Sequence, residues 1–148
     1  MLKKFQTEDS SPISTPMVVG CKLSKDDISP DVNQRTYRSM IGSLLYITTS
    51  RADIMKVVGM VGRYQYSPKQ SHLVAIKRIF KYLKGTMTYD LWYPRNHNFQ
   101  LTTYSDVDWA NCVDERKSTS KGSFFLGNSL VAWLSKKHDF ISLSTTEA

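Results

Sequence analysis

The apolar period of this chain changes once, near Gly85. Between Tyr37 and that position apolar side chains recur at three- and four-residue intervals, and after it they alternate. A 3.6-residue period lines one side of a helix, whereas a 2-residue period lines one face of a strand, so a single element cannot satisfy both. The expected class is therefore α+β, a short helical segment followed by a mostly antiparallel sheet.

Residues 37–86 form the helical segment in this reading. Ile41, Leu44, Leu45 and Thr48 recur at helical spacing from Tyr37 onward, with Met40 and Ile47 widening the apolar face. Ser50 followed by Asp53 has the spacing of a capping box, and Ile54, Val57, Val58, Val61 and Tyr64 mark the stripe of a second helix. A third helix begins near Pro68 and runs along Leu73, Ile76, Phe80 and Leu83 to a C-terminal cap at Gly85. Residues 1–36 hold Pro12, Pro16 and Pro30 and no sustained apolar period, which predicts a disordered or extended lead-in.

Residues 87–148 read as strands. Tyr89-Asp90-Leu91-Trp92-Tyr93 and Phe99-Gln100-Leu101-Thr102-Thr103-Tyr104 are rich in aromatic and β-branched residues. Ser123-Phe124-Phe125-Leu126 and Leu130-Val131-Ala132-Trp133-Leu134 flank Gly127-Asn128-Ser129, the pattern of a hairpin. Ser144-x-x-Glu147 again has capping-box spacing and opens a further helix.

The net charge of +7 is concentrated. Residues 37–95 carry ten basic and two acidic side chains, while the flanking stretches are balanced to within one charge. Concentrated positive charge suits a polyanion, because each neutralised phosphate releases condensed counterions; the same pattern also describes a solvated helix face. Cys21 and Cys112 have neither C-x-x-C nor Cys/His spacing, so no disulfide framework or zinc site is expected, and a reducing compartment, cytoplasmic or nuclear, is the simplest assignment. No apolar run is long enough for a secretory signal or a membrane span, so no membrane partner is expected.

Six stretches have a recognisable wording. Tyr37-Arg38-Ser39-Met40-Ile41-Gly42-Ser43-Leu44-Leu45-Tyr46 and Lys77-Arg78-Ile79-Phe80-Lys81-Tyr82-Leu83-Lys84-Gly85-Thr86 resemble the end of the reverse transcriptase region in copia-type retrotransposon polyproteins. Ser105-Asp106-Val107-Asp108-Trp109-Ala110, Asp114-Glu115-Arg116-Lys117-Ser118-Thr119-Ser120, Trp133-Leu134-Ser135-Lys136-Lys137 and Ser142-Leu143-Ser144-Thr145-Thr146-Glu147-Ala148 resemble the opening of that family's RNase H domain. Departures include Ser50-Arg51-Ala52-Asp53 where the family has Thr-Arg-Pro-Asp, Asn111 for Gly, His138 for Gln, Asp90 for Gly, and Lys121 inserted before Gly122.

The resemblance implies a truncated RNase H-like sheet with an open edge, and a vestigial catalytic site. RNase H cleaves the RNA strand of a hybrid with two metal ions about 4 Å apart. By resemblance Asp106, at the end of the first strand, is the first ligand to Mg²⁺ and Glu147, in the following helix, the second; the family's further aspartates lie beyond Ala148. A pair of carboxylates holds at best one loose ion, so the expectation is no enzyme activity and no bound cofactor, although the intact family uses Mg²⁺. On residue type alone, Asp106 and Asp108 read as ordinary strand-end or turn acids, and Glu147 as a helix-start acid. The palm aspartates of a polymerase are absent upstream of residue 37, which excludes reverse transcription by this chain alone.

Lys77, Arg78, Lys81 and Lys84 resemble part of a primer–template track, which implies weak binding of an RNA–DNA hybrid or other nucleic acid; otherwise they are the wet face of their helix. His72 reads as a cap or core-edge group rather than a ligand. Fragments of this kind also resemble proteins named secreted RxLR-type effectors of oomycete plant pathogens. That resemblance implies the alternative of a secreted virulence protein that acts in host cells, binds host proteins through basic residues 69–84, and suppresses defence cell death. The nearest match to the Arg-x-Leu-Arg motif, Arg35-Thr36-Tyr37-Arg38, has Tyr in place of Leu.

Overall fold

A computed structural model of the chain describes residues 3–5, 7, 9–25, 27–95, 100–108 and 118–139. Cys112 and the expected helix start at Ser144 and Glu147 lie outside the described residues. The chain divides into two compact units, Met1–Thr88 and Tyr89–Ala148. The first is helical, with α1 over Gln34–Ile47, α2 over Met55–Gly62 and α3 over Gln70–Gly85. The second is a three-stranded antiparallel sheet, β1 (Leu101–Asp108), β2 (Thr119–Leu126) and β3 (Ser129–Lys137), in the order β1-β2-β3. The α+β class follows. No described helix is long and apolar enough to cross a membrane.

The helices form where the apolar period puts them, but their ends are set by polar details. The Asn33 side chain accepts a hydrogen bond from the Thr36 backbone N–H at 2.9 Å, so α1 starts three residues before the predicted Tyr37. The expected capping box at Ser50 and Asp53 does not form. Ser50 Oγ instead donates to Ile47 O at the end of α1, Asp53 is held by Arg51, and α2 is entered through a 3₁₀ turn over Ala52–Ile54. At the start of α3 the Lys69 backbone N–H donates to His72 Nδ1 at 3.0 Å, and the other ring nitrogen donates to Ser24 O at 2.9 Å. That pair of bonds fixes His72 as the neutral Nε2–H tautomer, fully buried and stacked on Tyr64. It is a cap and a core group at once.

The core of this unit is built by Tyr37, Met40, Ile41 and Leu44 of α1, Val57, Val58 and Val61 of α2, and Ala75, Ile76, Ile79, Phe80, Tyr82 and Leu83 of α3. Apart from a 3₁₀ turn over Lys3–Phe5 the lead-in is extended, yet it belongs to the same core. Phe5 stacks on Phe80, Leu23 is buried, Ile13, Met17 and Cys21 pack alongside, and Tyr64 Oη donates to Leu23 O at 2.9 Å. Farther along, Val32 N–H donates to Pro68 O and Gln70 N–H to Pro30 O, which pairs the lead-in with the start of α3 through the Asp31–Lys69 bridge.

Gly85 acts differently from the cap expected of it. It is the last helical residue, with Thr86 as C-cap, and its φ is not positive. A Cβ there would lie 3.1 Å from Pro12 Cβ and 3.3 Å from Ile13 O, so the glycine makes room for the lead-in.

In the second unit, residues 89–93 are not the predicted strand. Their polar links run to one end of the hairpin, with Tyr93 Oη donating to Leu130 O and Ser129 Oγ to Trp92 O, and Pro94 has no N–H to extend a ladder. The hairpin does form. Gly127 and Asn128 make a two-residue turn with Gly127 at φ +59°, and Ser129 already pairs with Leu126. A bulge puts Val131 between the pairs Phe124↔Ala132 and Phe125↔Leu130. None of the sheet's described apolar side chains is fully covered; Tyr104, Val131 and Leu134 are all exposed.

Three alanine variants check this account by denaturant unfolding and limited proteolysis of the whole chain. Gly42 in α1 and Gly59 in α2 face open space, so Gly42→Ala and Gly59→Ala each stabilise by about 0.5–1 kcal/mol. Gly85→Ala pushes Pro12 and Ile13 outward and speeds cleavage within residues 10–17; unchanged cleavage there would contradict the packing role assigned to Gly85.

Candidate nucleic-acid and metal sites

The four cations singled out on α3 are used unequally. Arg78 Nη2 donates to Thr15 Oγ1 at 2.8 Å, and Lys84 Nζ donates to Ser10 O at 2.9 Å, so both tie down the lead-in. Lys77 is exposed and Lys81 half-buried, and neither has an ion pair or hydrogen bond among the described residues. One turn apart on the same side of the helix, they are spaced as a short row for phosphates.

The carboxylates sit in the other unit. Asp106 lies within β1, two residues before its end, and its side chain is 70% exposed. Directly across the ladder stands Lys121, whose Nζ is 2.8 Å from Asp106 Oδ2. Asp108 pairs in backbone register with Thr119, and Glu147 lies outside the described residues. Mg²⁺ requires a near-octahedral shell of oxygens. Among the described residues no three His, Cys, Asp or Glu side chains gather, and the nearest charged group to Asp106 is an ammonium. The described residues therefore bring no second carboxylate to Asp106.

A third cluster went unnoticed in the sequence. Arg51 donates to Asp53 through Nε and Nη2, to Thr86 O at 3.1 Å and to Thr86 Oγ1 at 2.7 Å, while its guanidinium carbon lies 5.7 Å from the Tyr82 ring centre. Tyr82 Oη completes the group with a 2.6 Å bond to Asp53 Oδ2. Burial pushes the Asp53 carboxyl up, but hydrogen bonds from Arg51 and Tyr82 and the guanidinium charge outweigh it, and the group is held below the ordinary carboxylate range. Burial, with Asp53 alongside, pushes the Tyr82 phenol up. Every member has a partner, and the group bolts the α1–α2 connection to the last turn of α3. It is a clamp. Only the closeness of Arg51 and Asp53 hinted at it, because Tyr82 and Thr86 join through the fold.

No family model and no solved structure matches the chain. Among known proteins it is 34% identical over its full length to the Retrovirus-related Pol polyprotein from transposon RE1 of Arabidopsis thaliana. It is also 34% identical, again over its full length, to the corresponding polyprotein from transposon TNT 1-94 of Nicotiana tabacum. The chain spans 10% and 12% of those two proteins. It is 38% identical over 75% of its length to Secreted RxLR effector protein 161 of Plasmopara viticola, 79% of which is covered.

The clamp has a pH signature. Because the Asp53 carboxyl is depressed in the folded chain, its stabilising effect is present above the ordinary carboxylate pKa of 3.8 and is lost as pH falls through the lower folded value. Tyr82→Phe removes one donor to that carboxylate. It should destabilise the chain by about 1 kcal/mol near neutral pH and lose less stability than the wild type below about pH 4, in urea titrations at each pH. A variant whose acid limb matches the wild type would show that Tyr82 does not depress Asp53.

Proposed function

Because the chain belongs to the copia-type retrotransposon Pol polyprotein family, we propose that it is a non-catalytic piece of the reverse transcriptase and RNase H region that binds nucleic acid weakly through α3. The observation that carries this reading is the division of labour on α3, where exposed Lys77 and half-buried Lys81 have no partner among the described residues while Arg78 and Lys84 hold the lead-in. Two such cations grip phosphates without reading bases, and they give little affinity. The non-catalytic half of the reading is supported by the state of Asp106, an exposed carboxylate already joined to an ammonium. Hydrolysis by a two-metal mechanism needs several carboxylates converging on both ions.

Fluorescence anisotropy with a labelled RNA–DNA hybrid tests the binding. The expected result is a Kd on the order of 0.1 mM at physiological salt and a log–log salt slope of about −2, both abolished by Lys77→Glu with Lys81→Glu. Mg²⁺-dependent cleavage of the same hybrid that disappears in Asp106→Asn would sink the non-catalytic reading.

The effector-named relative supports a second reading, a protein that acts by binding in a host cell and uses the same basic segment. Arg35-Thr36-Tyr37-Arg38 does not serve it as an entry motif. Tyr37 is fully buried in the core of α1 with Oη on Val61 O, so the tetrapeptide is a structural turn of helix rather than a displayed peptide. Expression in leaf tissue with and without an added secretion signal, followed by scoring of elicited cell death, separates the two. Suppression lost on reversing Lys77 and Lys81 favours the effector reading, and no suppression favours the transposon-derived reading.

A further inference from the structure

Asp106 and Lys121 are direct partners in the β1–β2 register, with Nζ 2.8 Å from Oδ2. Their exposures differ: 70% for the Asp106 side chain and 27% for Lys121. The lysine stem is therefore laid along the sheet, and the ammonium is delivered to the acid. The alternation of β2 makes this direction obligatory. A Cβ on Gly122 would lie 3.2 Å from Leu134 Cγ, so the glycine leaves its face of the sheet to the leucine of β3. Neighbouring strand residues point to opposite faces, so Lys121 must emerge on the other side, where Asp106 stands. Tyr104 meets Phe125 edge-on at 5.6 Å, a diagonal contact from the pair Tyr104↔Ser123 to the pair Thr102↔Phe125 that ties the two strands together further along that side.

We infer that Lys121 is the resident counter-ion of Asp106 and excludes divalent cations from it, so that a side chain of this protein stands where a metal ion is expected. The inference rests on the reading of Asp106 as a former metal-ligand position. A carboxylate bonded to an ammonium has one oxygen engaged and its charge compensated. A divalent ion approaching the other oxygen meets a fixed positive charge a few ångströms away. Coordination then requires the lysine to leave. The pair acts instead as a cross-strand tie between β1 and β2.

Mn²⁺ is the probe, read by paramagnetic loss of backbone amide NMR signals from residues 104–106 in the whole chain. Lys121→Met keeps the stem and removes the charge; it should lose those signals at a Mn²⁺ concentration at least about tenfold lower than the wild type, and Lys121→Met with Asp106→Asn should reverse this. Lys121→Arg, which retains the charge, should match the wild type. Equal loss in wild type and Lys121→Met, or no loss in either, overturns the inference. The Lys121 ¹⁵Nζ signal of the wild type gives a reading that does not depend on how Lys121→Met folds. Slow hydrogen exchange that Asp106→Asn accelerates is expected, and a freely exchanging ammonium in the wild type overturns the proposal. Cleavage of an RNA–DNA hybrid on the same samples separates the two readings. Mn²⁺ at Asp106 of the wild type without cleavage overturns the inference alone, and cleavage by a wild type whose Asp106 takes up no Mn²⁺ overturns the non-catalytic reading alone.

Discussion

The helical unit depends on covering the apolar side of α3. Ile76, Ile79 and Phe80 are fully buried, and so is His72 at the helix start. Neither neighbour is long, since α1 has 14 residues and α2 only 8, and helices of such length are marginal by themselves in water. Their stability comes from packing on α3 and on one another. Two short helices leave part of α3 uncovered, and the lead-in closes the gap with Phe5 on Phe80 and with Leu23 beneath Tyr64. A segment with no more than a 3₁₀ turn at Lys3–Phe5 and the single bridge at Asp31 thus completes the core.

The polar side of α3 is governed by the same need. An extended segment has no ladder of its own, so its backbone and hydroxyl groups need partners from the surface it lies on. Arg78 and Lys84 meet that need at Thr15 and Ser10, and Arg51 does the same for the end of α3 at Thr86. A cation engaged in this way must give up a bond before it can meet a phosphate. The ten basic residues counted between 37 and 95 therefore overstate the positive surface on offer. The helix is a structural mast first, and what remains outward is the row begun by Lys77 and Lys81.

Most elements were legible because their periodicity is strong. The stripes of α1 and α3 and the turn at Gly127 could be read directly, since each is local. Errors fell where a side chain had two uses. Ser50 closes α1 instead of opening α2, Asn33 opens α1 earlier than its apolar face begins, and Gly85 admits Pro12 where a left-handed cap was expected. The docking of the lead-in was hidden because Phe5, Ile13, Met17 and Leu23 are isolated apolar residues without a period, and only the folded helices give them a surface. For the candidate site, resemblance supplied Asp106, and Lys121 stood out as an insertion. Its consequence needed the pairing register, which no single strand reveals.

The contrast between the two units bears on which of them can hold a defined geometry. In the first, buried apolar side chains determine every helix position. In the second, the described strands bury no large apolar residue, so the usual penalty for a one-residue slip, moving a hydrophobic set from core to water, is weak. Register must then come from local devices: the Gly127-Asn128 turn, the fit of Gly122 to Leu134, the edge-on pair of Tyr104 with Phe125, and the Asp106–Lys121 ion pair. An acid recruited to hold register is constrained against leaving its partner. In such a sheet the Asp106–Lys121 pair carries part of the register that a buried core would otherwise carry, and under the proposal above the same pairing is what keeps a divalent ion from Asp106.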